Sequence, residues 1–422
     1  MAPPAVLRSR EKTRDRLDPA RAPDLPGEIL WGRASGLKIV FYQHGNFREA
    51  LDHFAAGGAE TYRDQRLSVG YVEQLAERHQ VTVVAMCGEA YDDSARPGLR
   101  LVGLSDPTAF KTDQALEFLR QMQPDRLIAR SPHAPLLRAA ARLGVPTLPS
   151  LADSFRRGGP RSFVRRWRLK GLLQGDHIPC VANHSLNASR GLVQGMGLPA
   201  DRVVPWDWSR MPMHPVTRGP ARAPGAPLHL VYAGGLREAK GLGDLLDAMA
   251  LAQADGVRTR LTVAGRGEPG PWQARAAKLG LDVDYVGLIS HADVVRLMGR
   301  GDAVVVPSRL SYPEGLPNTI YEALAARSAL ILSDHPAFLG RLRDRQEALF
   351  FAAENPASLA DRLRDLARDP ALSKRLAGNA ATALEGLYVG LEWPDLITRF
   401  VDDPTNQTGW VAPHSLHGLG LA

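Results

Sequence analysis

Pro313-Glu314-Gly315-Leu316-Pro317-Asn318-Thr319-Ile320-Tyr321-Glu322 sets two carboxylates, with seven residues between them, around a Gly-Leu-Pro-Asn turn that opens a helix. Pro317 sits where a first-turn proline costs no hydrogen bond, and Asn318 and Thr319 can turn polar groups toward the open end. The backbone amides between Gly315 and Thr319 are then free donors. With the positive end of the helix macrodipole behind them, such donors bind pyrophosphate well. Glu314 precedes the helix, whereas Glu322 meets a ligand only from the helix flank. Two ionised acids beside an anion need hydroxyl partners, which a sugar supplies.

The surrounding chain has the alternation that places such a turn after a strand. Upstream run Leu228 to Tyr232, Arg260 to Ala264, Val283 to Val286 and Ala303 to Val306 as strands, separated by helical patterns at Leu242 to Leu251, Trp272 to Leu279 and Ala292 to Met298. Downstream follow the strand Ala329 to Leu332 and terminal helices over Ser358 to Arg368 and Leu372 to Leu387. Strands alternating with helices signal parallel βαβ units with helices on both faces. The same alternation fills the first half, with strands at Leu37 to Tyr42, Val81 to Ala85, Arg126 to Ala129 and Val145 to Leu148. At 422 residues the chain is too long for one core, so two domains are expected. Their expected bounds are 37–211 and 228–388, joined by a linker 212–227 that contains five prolines. Residues 1–36 read as a disordered extension rich in Pro, Arg and Asp, and 389–422 as a return segment and tail, loop-like after Asp403.

Hydrophobic residues make up 44% of the chain, no run of eighteen is apolar, and the N-terminus lacks the apolar region of a signal peptide. Two cysteines, Cys87 and Cys180, do not make a disulfide framework. A cytoplasmic protein is expected. The formal charge of +7 is concentrated in the first half, where residues 1–215 hold 30 Lys+Arg against 22 Asp+Glu. Its densest part, Phe155 to Lys170, interleaves Phe155, Phe163 and Trp167 with cations that include Arg165, Arg166, Arg168 and Lys170. This segment reads either as a surface for anionic lipid or a phosphorylated acceptor, or as a solvated helix. No nucleic-acid module accompanies the charge, so nucleic acid is not an expected partner.

In open parallel sheets ligands bind beyond the carboxyl ends of strands. Four loops occupy such places. Ala233-Gly234-Gly235-Leu236-Arg237-Glu238-Ala239-Lys240-Gly241 combines glycines for close approach with two cations for phosphate. Ala264-Gly265-Arg266-Gly267 follows the next strand, and Glu314 to Glu322 follows Ala303 to Val306. In the N-terminal half Gly57-Gly58 with Glu60, flanked by His44 and His53, offers backbone donors across a cleft, or is only a flexible loop. Asp282-Val283-Asp284 has the form of a metal-binding pair but lacks a third ligand nearby, and reads as an accident ahead of a core strand.

These motifs, with Val286-Gly287, Val306-Pro307-Ser308 and Ala323-Leu324-Ala325, resemble in order and spacing the family 4 retaining glycosyltransferases, group 1 glycosyltransferases of the GT-B fold. The resemblance implies two Rossmann-like domains facing across a cleft. A nucleoside-diphosphate sugar, as donor substrate rather than cofactor, lies on the C-terminal one and a glycan or lipid-linked acceptor on the other. It assigns Lys240 to the donor diphosphate, Glu314 to the transferred sugar and Glu322 to the ribose. Gly234, Gly235, Gly265, Gly267 and the turn amides complete the donor site, and no metal is implied. Two departures stand out. Gly235 occupies a place where the family commonly has arginine, which Arg237 can replace. The family's N-terminal histidine falls at Arg130, with His133 three residues later, so both are candidates. The implied role is hexose transfer in cell-surface polysaccharide synthesis, at the inner face of a membrane. A nucleotide-sugar epimerase of the same fold and a non-catalytic scaffold are the alternatives.

Overall fold

The computed structural model describes residues 36–106, 110–155, 160–215 and 225–422, with side chains from residue 166 onward in the helix Pro160–Leu173. The proposed disordered extension, except Gly36, and most of the linker therefore lie outside the described residues. Eight strands form the first part in chain order: β1 Lys38–His44, β2 Gln80–Met86, β3 Tyr91–Arg96, β4 Leu99–Leu104, β5 Arg126–Ala129, β6 Thr147–Leu151, β7 Val181–His184 and β8 Val203–Asp207. Six more follow: β9 Leu228–Ala233, β10 Thr259–Ala264, β11 Asp282–Gly287, β12 Ala303–Val306, β13 Ala329–Ser333 and β14 Leu349–Phe351. A last pair of residues, β15 Leu391–Glu392, ends the series.

Two sheets result, one in each half. The first has the order β15-β8-β7-β6-β5-β1-β2-β4-β3 and is parallel except for the β3–β4 hairpin. β11-β10-β9-β12-β13-β14 is the second and is wholly parallel. Its central strands read apolar on both faces because helices cover both sides, and Ala303–Val306 is buried at every position. In each sheet the chain leaves the first strand in one direction and then crosses to its other side, between β1 and β5 and between β9 and β12. Those two reversals create the crevices in which doubly wound sheets hold ligands.

Several elements differ from expectation. Tyr91–Arg96 is an antiparallel edge strand whose polar sequence carries no buried-strand signal, since only one of its edges is paired. Phe47–Ala55 is a helix capped by Asn46, whose side chain accepts from the Glu49 amide. Asp282 and Asp284 lie within β11 itself, on the sheet's edge and exposed, rather than ahead of a core strand. The segment after Asp403 is not simply loop. It contains the helix Val411–His414, and Trp410, Val411 and Leu416 are buried. Asp403 organises the turn by accepting from the Gln407 and Thr408 amides.

The chain's end belongs structurally to the first sheet. Leu391 and Glu392 pair with Trp206 and Asp207 of β8. The helix Trp393–Asp402 then buries Trp393, Leu396, Ile397, Phe400 and Val401 in the same core as Phe41, Ile128 and Trp206.

Candidate active site between the two sheets

Three adjacent strands, β10, β9 and β12, deliver the three C-terminal loops side by side. Gly241 holds a positive φ of 76°, and a Cβ there would stand 1.9 Å from the Pro307 carbonyl oxygen. Only glycine fits between the lysine turn and the loop after β12. Gly265 is equally constrained, at φ 145° with its Cβ position 1.9 Å from the Gly234 oxygen. Arg309 braces the lysine turn, giving two hydrogen bonds to Asp244 at 2.8 and 2.7 Å and reaching Glu238 at 2.5 Å. Tyr232 donates to the Gly235 carbonyl at 2.8 Å. Burial raises the pKa of that phenol, with Glu314 adding to the effect, so it stays a donor.

That frame places Lys240 Nζ 2.5 Å from Glu314 Oε1, and Ser308 Oγ donates to the same oxygen at 2.7 Å. Glu314 is 6% exposed. A nearly buried carboxylate is stable in such a place because a cation and a hydroxyl satisfy it. Lys240 also lies 4.3 Å from the centre of the Tyr312 ring. The helix begins at Asn318, with Pro317 as its cap residue. Pro317 has no N–H, and the Ile320 amide is taken by the Pro317 carbonyl. Gly315, Leu316, Asn318 and Thr319 therefore keep amides with no partner among the described residues. The Leu316 side chain itself is core, 3% exposed, so only its backbone faces the site.

A cavity of about 210 Å³ opens beside these groups, lined by Gly234, Gly235, Gly265, Asn318, Thr319 and Glu322, with Thr61 and Tyr62 from the first half. Gly267 lies back from it, packed on Leu236. Arg237 is exposed, and its Nε is 3.9 Å from where a side chain at Gly235 would begin. The geometry thus puts a guanidinium beside the position that lacks one.

Of the two N-terminal candidates, His133 is a structural cap. Its Nδ1 accepts from the Leu136 amide at 3.4 Å, and its ring packs on Tyr42 and Phe110. Arg130 instead donates to Gln43 at 2.8 Å, over the rings of Trp393 and Trp208, with its positive charge felt at Tyr62 on the cavity wall. Burial lowers its pKa from the usual arginine value.

Gly57 and Gly58 correct the expectation placed on them. Their amides donate to Phe54 and His53 carbonyls and so terminate the preceding helix, leaving neither as an open donor. In the basic segment, Leu169 and Leu173 turn into the core while Trp167 is 67% exposed and Arg168 is exposed. Arg166 and Lys170 are half-buried, and the Arg165 side chain lies outside the described residues. The sequence reading missed His291, whose ring nitrogen Nε2 is 3.2 Å from Glu322 Oε1. It also missed a buried cluster beside the site, where Tyr321 donates to Asp207 at 2.6 Å under Arg63 and His184. Neither follows a motif, because the partners meet only in the folded chain.

Known proteins resemble the chain over this region. Residues 217–383 match the family described as glycosyl transferases group 1. Over these residues the chain is similar to group 1 glycosyltransferases. A glycogen synthase of Mycobacterium tuberculosis is 31% identical to it over 175 residues, 41% of this chain and 41% of the relative. A phosphatidyl-myo-inositol mannosyltransferase of Mycobacterium leprae is 28% identical over 145 residues, 34% of this chain and 38% of the relative. These matches thus span about two fifths of the relatives' length. Among solved structures, Anabaena HepE in complex with UDP-glucose superposes with a TM-score of 0.59 at 14% identity, over 87% of this chain and 98% of that one. WaaG, a glycosyltransferase involved in lipopolysaccharide biosynthesis, gives 0.57 at 15% identity, over 86% and 100%. The likeness to these structures shows that the two sheets are arranged in the GT-B fold.

Proposed function

We propose that this chain is a retaining glycosyltransferase of family 4. It moves a hexose-type sugar from a nucleoside diphosphate to a glycan or lipid-linked acceptor in cell-surface polysaccharide synthesis. The observation that carries this reading is the Lys240–Glu314 contact at 2.5 Å beside four unpartnered amides. An anion entering there finds amides and the lysine cation, while Glu314 and Glu322 accept from hydroxyls on either side of it.

In this reading the donor diphosphate draws Lys240 from Glu314, and Arg237 adds a second cation. Glu314, still held by Ser308, turns to the hydroxyls of the transferred sugar. As the glycosidic bond to the diphosphate lengthens, negative charge builds on the leaving oxygen, where Lys240 and the Gly315 to Thr319 segment meet it. Such preorganised charge is commonly the largest catalytic contribution. The acceptor approaches from the N-terminal half, on the face the diphosphate leaves, so the anomeric configuration is kept. No metal takes part in this scheme. The relatives' names, covering glycogen, lipid and polysaccharide glycosylation, support the substrate class. The exposed Trp167 and Arg168 support docking of the enzyme, as a peripheral protein, on an anionic surface at the cytoplasmic face. Among the described residues, no helix is long and apolar enough to cross a membrane.

Glu314→Ala tests the assignment. Transfer falls by about 100-fold or more while nucleoside diphosphate binding survives. Equal loss of both contradicts the role given to Glu314, and a new sugar isomer formed without acceptor points to an epimerase instead.

A further inference from the structure

His291 opens the helix His291–Arg300, which is capped by Ser290 and packs beside the donor helix Asn318–Ala325. It reaches in two directions. Its backbone amide donates to the Glu60 carbonyl at 2.6 Å, which joins the two halves of the molecule. Its ring lies between two carboxylates from those halves, with Nε2 3.2 Å from Glu322 Oε1 and Nδ1 3.9 Å from Glu60 Oε2. Nε2 is buried and not aligned for a hydrogen bond, so the contact with Glu322 is chiefly electrostatic. Glu322 is 5% exposed and lines the cavity, as do Thr61 and Tyr62 immediately after Glu60.

We propose that His291 is a positioning residue that clasps the Glu60 segment of the N-terminal half over the nucleoside end of the donor, orienting Glu322 at the same time. The proposal rests on the donor site described above. Protonated, the imidazole bridges both carboxylates. Neutral, it no longer attracts the two carboxylates by charge, and the clasp weakens. Glu322 faces it from the donor helix, and Glu60 and Asp64 from the segment before the helix Gln65–Ala76. Asp293 on its own helix is engaged instead by Ser290 and Arg296. Burial by itself lowers the imidazole pKa, but Glu322, Glu60 and Asp64 outweigh it and leave it raised. The clasp is therefore complete below the ordinary histidine value, about 6.5, and is lost as pH rises through the raised folded value.

The test is an NMR titration of histidine-labelled full-length protein. His291 is expected to titrate above the ordinary value and to move down in both Glu60→Gln and Glu322→Gln. An ordinary titration in the parent protein, or indifference to Glu60→Gln, overturns the clasp. Calorimetry with UDP and GDP supplies the functional arm. For the nucleotide that binds, affinity is expected to drop as pH rises through the measured value, and His291→Gln to be roughly tenfold weaker only on the acid side. Affinity independent of pH overturns the positioning role. If neither nucleotide binds, the donor-site reading itself fails, and the clasp is still decided by the titration.

Discussion

Gly241 shows how little freedom the site has at the scale of single residues. Its φ of 76° and the Pro307 oxygen 1.9 Å from its Cβ position leave no room for a methyl group, and Lys240 is its neighbour. Gly241→Ala is expected to cost about 1–3 kcal/mol in strain, lowering Tm, and to weaken nucleoside diphosphate binding because Lys240 is displaced. Unchanged melting and binding in that variant would show that the loop can move aside. The loop positions of Lys240, Glu314 and Glu322 follow from the sequence because each sits at a fixed offset from a glycine or proline that shapes its loop. His133 and the Gly57-Gly58 pair are harder to read. A histidine or glycine near a strand end serves a helix terminus as readily as a ligand, and only the hydrogen-bond partners separate the two. Leu136 takes the first, and the carbonyls of His53 and Phe54 take the second.

Elements were legible where burial on both faces leaves a continuous apolar run. β12 and β13 are such runs, as, apart from a polar residue or two, are β9 and, in the first sheet, β2. The hairpin strand β3 was not, because a polar edge strand looks like a loop. Residues 389–422 read as a return segment, but the helix Trp393–Asp402 within it did not stand out. Trp393 is fully buried there, donates through its indole to Ser150 at 3.2 Å, and packs against Phe41, Tyr71 and Trp208. Trp393→Ala is expected to destabilise the protein by about 3–5 kcal/mol. Denaturant melting followed by tryptophan fluorescence measures this, and a loss below about 1 kcal/mol would mean that the return helix is only loosely docked.

Across the whole molecule, the helix Asn318–Ala325 is tied to the N-terminal half at successive residues. Tyr321 bonds Asp207 at the end of β8, and Glu322 meets His291, whose amide is bonded to Glu60. Arg63, 1% exposed, lies over the Tyr321 ring and near Asp207, and donates to the Ser209 carbonyl at 2.5 Å. Helix, strand end and glycine segment thus share one buried polar seam. Burial, reinforced by Asp207, raises the Tyr321 pKa well above its usual value, which keeps the phenol a donor across the physiological range. The seam makes the arrangement of the two sheets part of the proposed donor site rather than its support. A thermal-shift panel of UDP, GDP, ADP and their sugar conjugates, run on the parent protein and on Lys240→Ala, tests the central claim most directly. One nucleotide class is predicted to raise the Tm of the parent, as a ligand bound only to the native state must, and to lose most of that effect in the variant. Failure of every nucleotide to move the parent's Tm, or an equal shift in Lys240→Ala, would contradict the account.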